Sequence, residues 1–223
     1  MEKHNLYYRI LESLGGGECP VCSYLAKSAE KYFDDLLYEG VTDPGFVRKF
    51  RGNRGFCNAH AYKLLSYKDG LAVARLYSYL SRDSLGSFAG AAGAERRAAG
   101  RCPACESQKS TESVVAGAFR EYLEDAEFRD AFLGSDGLCH HHYLRVARLF
   151  GKDVPSWFVD FQFSRLQELS RKIDALLDFG NYSLGGKKPD LGYEDQLVYQ
   201  KAVRFFSGFE GMVAVPPGKA HRE

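Results

Sequence analysis

The chain has 223 residues and a mass of 25.0 kDa, with 45% hydrophobic residues, enough for one or two domains with a buried core and too many for wholesale disorder. Thirty basic residues against twenty-nine acidic ones leave a formal net charge of +1, so no global field marks a binder of nucleic acid or acidic substrates. Met1 to Ile10 carries Glu2, Lys3, His4 and Arg9 without an apolar segment, and no stretch approaches the ~20 apolar residues of a membrane span, which points to a cytoplasmic location.

From Tyr24 to Tyr38, Leu25, Ala29, Tyr32, Phe33, Leu36 and Leu37 recur at three and four with charged residues between them, the pattern of an amphipathic helix that Gly40 stops. Asp43 before Pro44 is an N-cap followed by proline at the first helical position, opening a short helix that presents Phe46, Val47 and Phe50 and ends at Gly52. A third helix starts near Cys57, and a fourth runs over Leu71 to Leu80. The second half repeats the scheme with Val114, Val115, Ala118, Phe119 and Tyr122, then Phe128 and Phe132, then Leu144 to Phe150. Ser87 to Gly100, rich in Gly and Ala, reads as a mobile connector. Past Pro155 a long helix extends to about Phe179, a glycine-rich loop surrounds Gly185 and Gly186, a last helical stretch covers Leu191 to Phe206, and the tail from Val215 is expected to be disordered. No alternating strand pattern occurs. The expected fold is therefore all-α: two pseudo-symmetric helical half-repeats in one array, with C-terminal helices packed across them. The boundaries read as 1–88 and 101–152 for the repeats, 89–100 for a linker, 153–207 for the packing helices and 208–223 for a flexible tail.

The six cysteines explain the duplication. Cys19-Pro20-Val21-Cys22 and Cys102-Pro103-Ala104-Cys105 are one C-P-x-C unit displaced by 83 positions, and each is answered downstream by G-x-C-x-x-H, at Gly55 to His60 and Gly137 to His142. At an offset of 82, Asp43, Phe46, Phe50, Gly52, Gly55, Cys57 and His60 fall on Asp125, Phe128, Phe132, Gly134, Gly137, Cys139 and His142. The twin motifs, joined by helices with an acidic turn, resemble an uncharacterised bacterial family known only as a domain of unknown function, over roughly residues 17 to 150. The resemblance implies equivalent halves and an all-helical fold, and brings no activity with it.

A C-P-x-C at a helix start places two thiols on one face within the first turn, where free N–H groups and the helix dipole favour thiolate. Cys57 with His60 repeats that geometry. A helix from Cys22 to Glu39 rises ~27 Å; the short helix returns ~12 Å, and Arg51 to Phe56, if extended, ~20 Å, so each half is expected to close on itself. In this reading Cys19, Cys22, Cys57 and His60 hold one ion, and Cys102, Cys105, Cys139 and His142 the other. Three sulfurs and one nitrogen, all from protein, describe a closed tetrahedral zinc site, two per chain. An iron–sulfur cluster or a reactive thiol pair at the same positions is the competing redox reading. A thioredoxin-like site lacks its preceding strand, and a c-type haem is excluded because Ser23 and Glu106, not histidine, follow the C-x-x-C units.

The offset selects His142 as the partner of His60, leaving His140 and His141 as exposed or capping residues. Asp34 with Asp35, and Glu121, Glu124 and Asp125, fall on a solvated face, so no catalytic carboxylate pair is expected. Arg48, Lys49, Arg51 and Arg54 form the one basic cluster, read as offsetting the formal −1 charge of a three-thiolate zinc centre. The sum is a binding or adaptor protein rather than an enzyme, its partner a protein or small ligand, not nucleic acid or membrane.

Overall fold

The computed structural model describes residues 4–89, 101–180 and 191–209. Among them every regular element is helical, and no helix is long and apolar enough to cross a membrane. The linker expected from Ser87, the glycine-rich loop and the tail from Val215 fall almost wholly outside these residues.

Eleven α-helices are described: α1 (Asn5–Leu14), α2 (Pro20–Tyr38), α3 (Pro44–Gly52), α4 (Asn58–Ser66), α5 (Gly70–Ala89), α6 (Pro103–Tyr122), α7 (Ala126–Leu133), α8 (His140–Phe150), α9 (Ser156–Gly180), α10 (Tyr193–Gln196) and α11 (Val198–Ser207). Local chemistry sets their starts. Asp43 caps α3 by accepting the Phe46 N–H, with Pro44 behind it, and Asp125 caps α7 by accepting the Phe128 N–H at 3.1 Å. Asp125 is thus a structural cap rather than a member of a merely solvated face, and it also accepts from the Tyr7 hydroxyl at 2.7 Å.

Two findings depart from the sequence reading. Residues 5–14, left without an element, form α1, whose Tyr7, Ile10 and Leu14 are buried at helical spacing. The last helical stretch is broken at Leu197, whose φ of −93° and ψ of 6° lie outside the helical well and separate α10 from α11.

The chain divides into two compact units, one from Met1–Tyr24 with Glu112–Ala214, the other principally Leu25–Thr111. The divisions fall inside α2 and α6, so each of these helices gives its first turns to one unit and its remainder to the other. The Leu25–Thr111 unit is built on Phe33 and Leu36 of α2, Phe50 of α3, Leu64 of α4 and Leu76 of α5. Phe33 meets Phe56 edge-on at 5.7 Å and the His60 ring at 6.0 Å. The other unit is built on Phe119 of α6, Phe128 and Phe132 of α7, Val146 of α8 and Phe158 of α9, with Tyr7 against Tyr122 and Phe128. Leu64 and Leu76 stand at the 82-residue offset from Val146 and Phe158, and all four side chains are fully buried.

Candidate metal centres

Each C-P-x-C runs into its helix with proline at the first helical position, and the first cysteine's carbonyl accepts the opening turn: Ser23 N–H on Cys19 at 3.0 Å, Glu106 N–H on Cys102 at 3.0 Å. Both thiols of each pair therefore sit within one turn. Cys57 and Cys139 are the N-caps of α4 and α8 with nearly the same backbone, φ −65° and ψ 165° against φ −64° and ψ 160°. That puts His60 and His142 in the first turn, three residues on, beside their own cysteines.

The approach to each C-x-x-H bends at a glycine that no other residue replaces without strain. Gly55 has φ 91° and Gly137 φ 78°, and an added Cβ would lie 2.9 Å from Leu80 Cδ1 or 3.0 Å from Gln162 Oε1. Leu80 and Gln162 also stand at the 82-residue offset. Gln162, buried on α9, clamps the loop by accepting the Leu138 N–H at 3.0 Å and donating to the Leu138 carbonyl at 2.7 Å.

All eight expected residues come together in two groups of four, but the grouping is crossed. Cys19, Cys22, Cys139 and His142 form one cluster; Cys57, His60, Cys102 and Cys105 form the other. The pairing within halves is overturned, and the reason is local. Arg51 and Gly52 continue α3, and residues 53–55 make a tight turn in which Gly55 N–H bonds to the Phe50 carbonyl at 2.8 Å, so the expected ~20 Å extended return does not exist. The C-x-x-H instead packs on Phe33, eleven residues and ~16 Å further along α2 than Cys22. It is beyond reach of an ion held by Cys19 and Cys22, and it meets the C-P-x-C of the other half.

In the first cluster His142 Nδ1 lies 3.4, 3.3 and 3.2 Å from Cys19, Cys22 and Cys139 Sγ, and the Cys22 and Cys139 sulfurs are 3.7 Å apart. In the second, His60 Nδ1 lies 3.2, 3.5 and 3.3 Å from Cys57, Cys102 and Cys105 Sγ, with Cys57 and Cys105 sulfurs 3.7 Å apart. A tetrahedral ion with metal–sulfur bonds of ~2.3 Å and metal–nitrogen bonds of ~2.0 Å has edges of about 3.8 Å between sulfurs and 3.5 Å between sulfur and nitrogen. The sulfur–nitrogen distances of 3.2–3.5 Å and the sulfur–sulfur distances of 3.7 Å lie close to those edges, and the four donor atoms of each cluster all lie within 4.8 Å of one another. Separations of 3.7 Å also exclude disulfides, and all six thiols are free.

Crowding buried sulfurs together perturbs their protons. Cys22 is pushed far up by the sulfurs of Cys139 and Cys19, while those of Cys19 and Cys22 hold Cys139 far down. Burial works against a charged His142 ring, but Cys139 and Cys19 overcome it and hold the ring up at about 10. Burial first, then the charge of Cys102, pushes Cys105 up to about 12.

The basic cluster is partly spent on carboxylates: Lys49 pairs with Glu106, the residue after Cys105, at 2.9 Å, and Arg51 Nε donates to Asp83 at 2.8 Å. His141 is not simply exposed. Its Nε2 lies 2.8 Å from the buried Glu112 on α6, which Arg145 also reaches at 3.3 Å. Neither this contact nor the cavity beside the first cluster was legible in the sequence, since both depend on which helices meet. That cavity, of about 480 Å³, is lined by Cys19 and Cys139, apolar Leu169, Val198 and Phe205, and charged Lys201.

The chain is similar to an uncharacterized protein. The match is 29% identical over 177 residues, covering 76% of this chain and 82% of the relative, an "Uncharacterized 23.9 kDa protein in xynA 3'region" of Caldicellulosiruptor sp. (strain Rt8B.4). No family model and no solved structure matches the chain. The comparisons thus agree with the resemblance drawn from the twin motifs at the level of an uncharacterized relative, and they assign no chemistry.

Proposed function

We propose that the protein is a metal-binding helical module whose two centres each hold one zinc ion in a structural role, and that it acts through binding rather than catalysis. The observation that carries this reading is the pair of closed tetrahedra of three sulfurs and one nitrogen, whose edges suit a single small ion. A four-iron cluster holds each cysteine on a separate iron and a two-iron cluster divides its ligands between two, so either spreads the four donors further than one ion does. Four protein donors leave no open position for a substrate or an activated water, which favours a structural over a catalytic ion.

The binding half of the proposal rests on the cavity beside Cys19 and Cys139. Its volume falls within the ~300–1,000 Å³ of small-molecule sites, and it joins apolar walls to charged groups. A small ligand is the partner it favours, with nucleic acid and membrane disfavoured, and a cytoplasmic location, where thiols stay reduced, suits six free cysteines. Elemental analysis of protein purified without oxygen tests the metal reading. Two zinc ions per chain and a colourless solution are expected; iron with sulfide and absorbance near ~400 nm establishes the redox alternative.

A further inference from the structure

The two centres share their ligands and their capping geometry but differ in what stands behind the histidine. His142 offers Nδ1 to the sulfurs, and its Nε2 faces Glu112 Oε1 at 3.7 Å, beyond hydrogen-bond length yet within ion-pair reach. Glu112 is itself only 7% exposed and is held by His141 Nε2 at 2.8 Å and by Arg145 at 3.3 Å, whose guanidinium balances its charge. His60 also offers Nδ1 to the sulfurs and is only 2% exposed, but its Nε2 has no partner among the described residues. His60 lines a cavity of about 10 Å³, room for a single water, whose wall also includes Ala29.

The repeat offsets explain the difference residue by residue. Ala29 stands where Glu112 does on the other long helix, and Ala59 and Lys63 stand where His141 and Arg145 do. The whole support of one imidazole is therefore lacking at the other. Burial runs the same way, since Cys19, Cys22 and Cys139 are all buried while Cys57 and Cys105 are partly exposed.

We propose that the two centres hold their ions unequally: the centre of Cys19, Cys22, Cys139 and His142 retains its ion, and the centre of Cys57, His60, Cys102 and Cys105 gives its ion up to soft multidentate acceptors. This rests on the metal-binding reading above. A carboxylate beside the far ring nitrogen favours the tautomer with its proton there and raises the basicity of a ligating histidine, and losing such an outer partner typically weakens metal binding ~10–100-fold. Glu112 acts here as a positioning residue through His142.

The test uses the full chain loaded with zinc, checked for two ions, then mixed with an excess of a chromophoric chelator. Release is expected in two phases of one ion each, with rates ~10–100-fold apart. Cys57→Ala removes the fast phase. Glu112→Gln, which keeps the side-chain shape, accelerates the slow phase and leaves the fast phase unchanged. In the cadmium-113-substituted chain the same variant shifts one of two resonances, a signature that general loosening of the helices does not give. A single phase of release, a slow phase that vanishes in Cys57→Ala, or a slow phase indifferent to Glu112→Gln overturns the inference. Fewer than two ions bound at the start overturns the metal-binding reading itself, and the inference with it.

Discussion

The crossed grouping of ligands makes a prediction that counting metal ions can check. Two double variants remove the same number of thiols but distribute them differently. Cys19→Ala with Cys139→Ala strips two donors from one centre and leaves Cys57, His60, Cys102 and Cys105 intact. Cys19→Ala with Cys57→Ala strips one donor from each centre. In each cluster the histidine Nδ1 lies 3.2–3.5 Å from its own three sulfurs, so each ion is assigned its own four donors and none is spare. The first variant is expected to keep one zinc ion per chain and the second to keep none after desalting into dilute chelator. Structural zinc contributes on the order of 10 kcal/mol to folding, comparable with the ~5–15 kcal/mol of a whole domain. The second variant is therefore expected to lose its cooperative thermal transition, whereas the first keeps one for the unit around Phe33 and Leu76. Native mass spectrometry of the gel-filtered protein reads the count. If Cys19→Ala with Cys57→Ala keeps one ion while Cys19→Ala with Cys139→Ala keeps none, the ligands pair within halves and the crossed assignment is refuted.

Gly137→Ala forces a side chain into a positive-φ turn with its Cβ 3.0 Å from Gln162 Oε1, and is expected to destabilise by ~1–2 kcal/mol in denaturant unfolding; an unchanged midpoint shows that the loop has another way to turn. Gln162→Leu leaves the buried N–H and carbonyl of Leu138 without partners and is expected to lower stability by ~1–3 kcal/mol per group, with amide exchange at Leu138 speeding up as the local readout. Metal affinity is expected to rise with pH. In the metal-free first cluster the His142 ring is held protonated up to about 10 and Cys22 is pushed up, so at neutral pH an entering ion displaces at least two protons, and the apparent affinity climbs ~100-fold per pH unit. Competition titrations at two pH values measure that slope, and a flat result contradicts the proton assignment. Asp125→Ala removes the cap on the Phe128 N–H together with the acceptor of the Tyr7 hydroxyl, with an expected loss of ~1–2 kcal/mol in thermal or denaturant unfolding.

The amino-acid sequence alone made legible most of the helices, the Asp43 cap and the eight cysteine and histidine residues that the structure gathers into two clusters. These are consequences of short-range chemistry: Asp43 and Asp125 bond three residues ahead, Pro20 and Pro103 fit only a first turn, and a cysteine three residues before a histidine puts both on one helical face. Periodicity also carried the signal for α1 in Tyr7, Ile10 and Leu14, although only its burial against Tyr122 and Phe128 shows why it folds. Tertiary structure decided which donors share a centre. Chain length allowed each half to close on itself, and spacing could not exclude that, because the outcome turns on whether residues 51–56 extend or coil. They coil, since Phe56 and His60 pack on Phe33, with Phe50 against Phe56, and not on the first turn of α2. The hydrophobic core fixes where the first C-x-x-H lies along α2, and that placement sets which sulfur and nitrogen atoms meet. The support of His142 by Glu112 was hidden for the same reason, as a contact between residues thirty positions apart is set by which helix faces which.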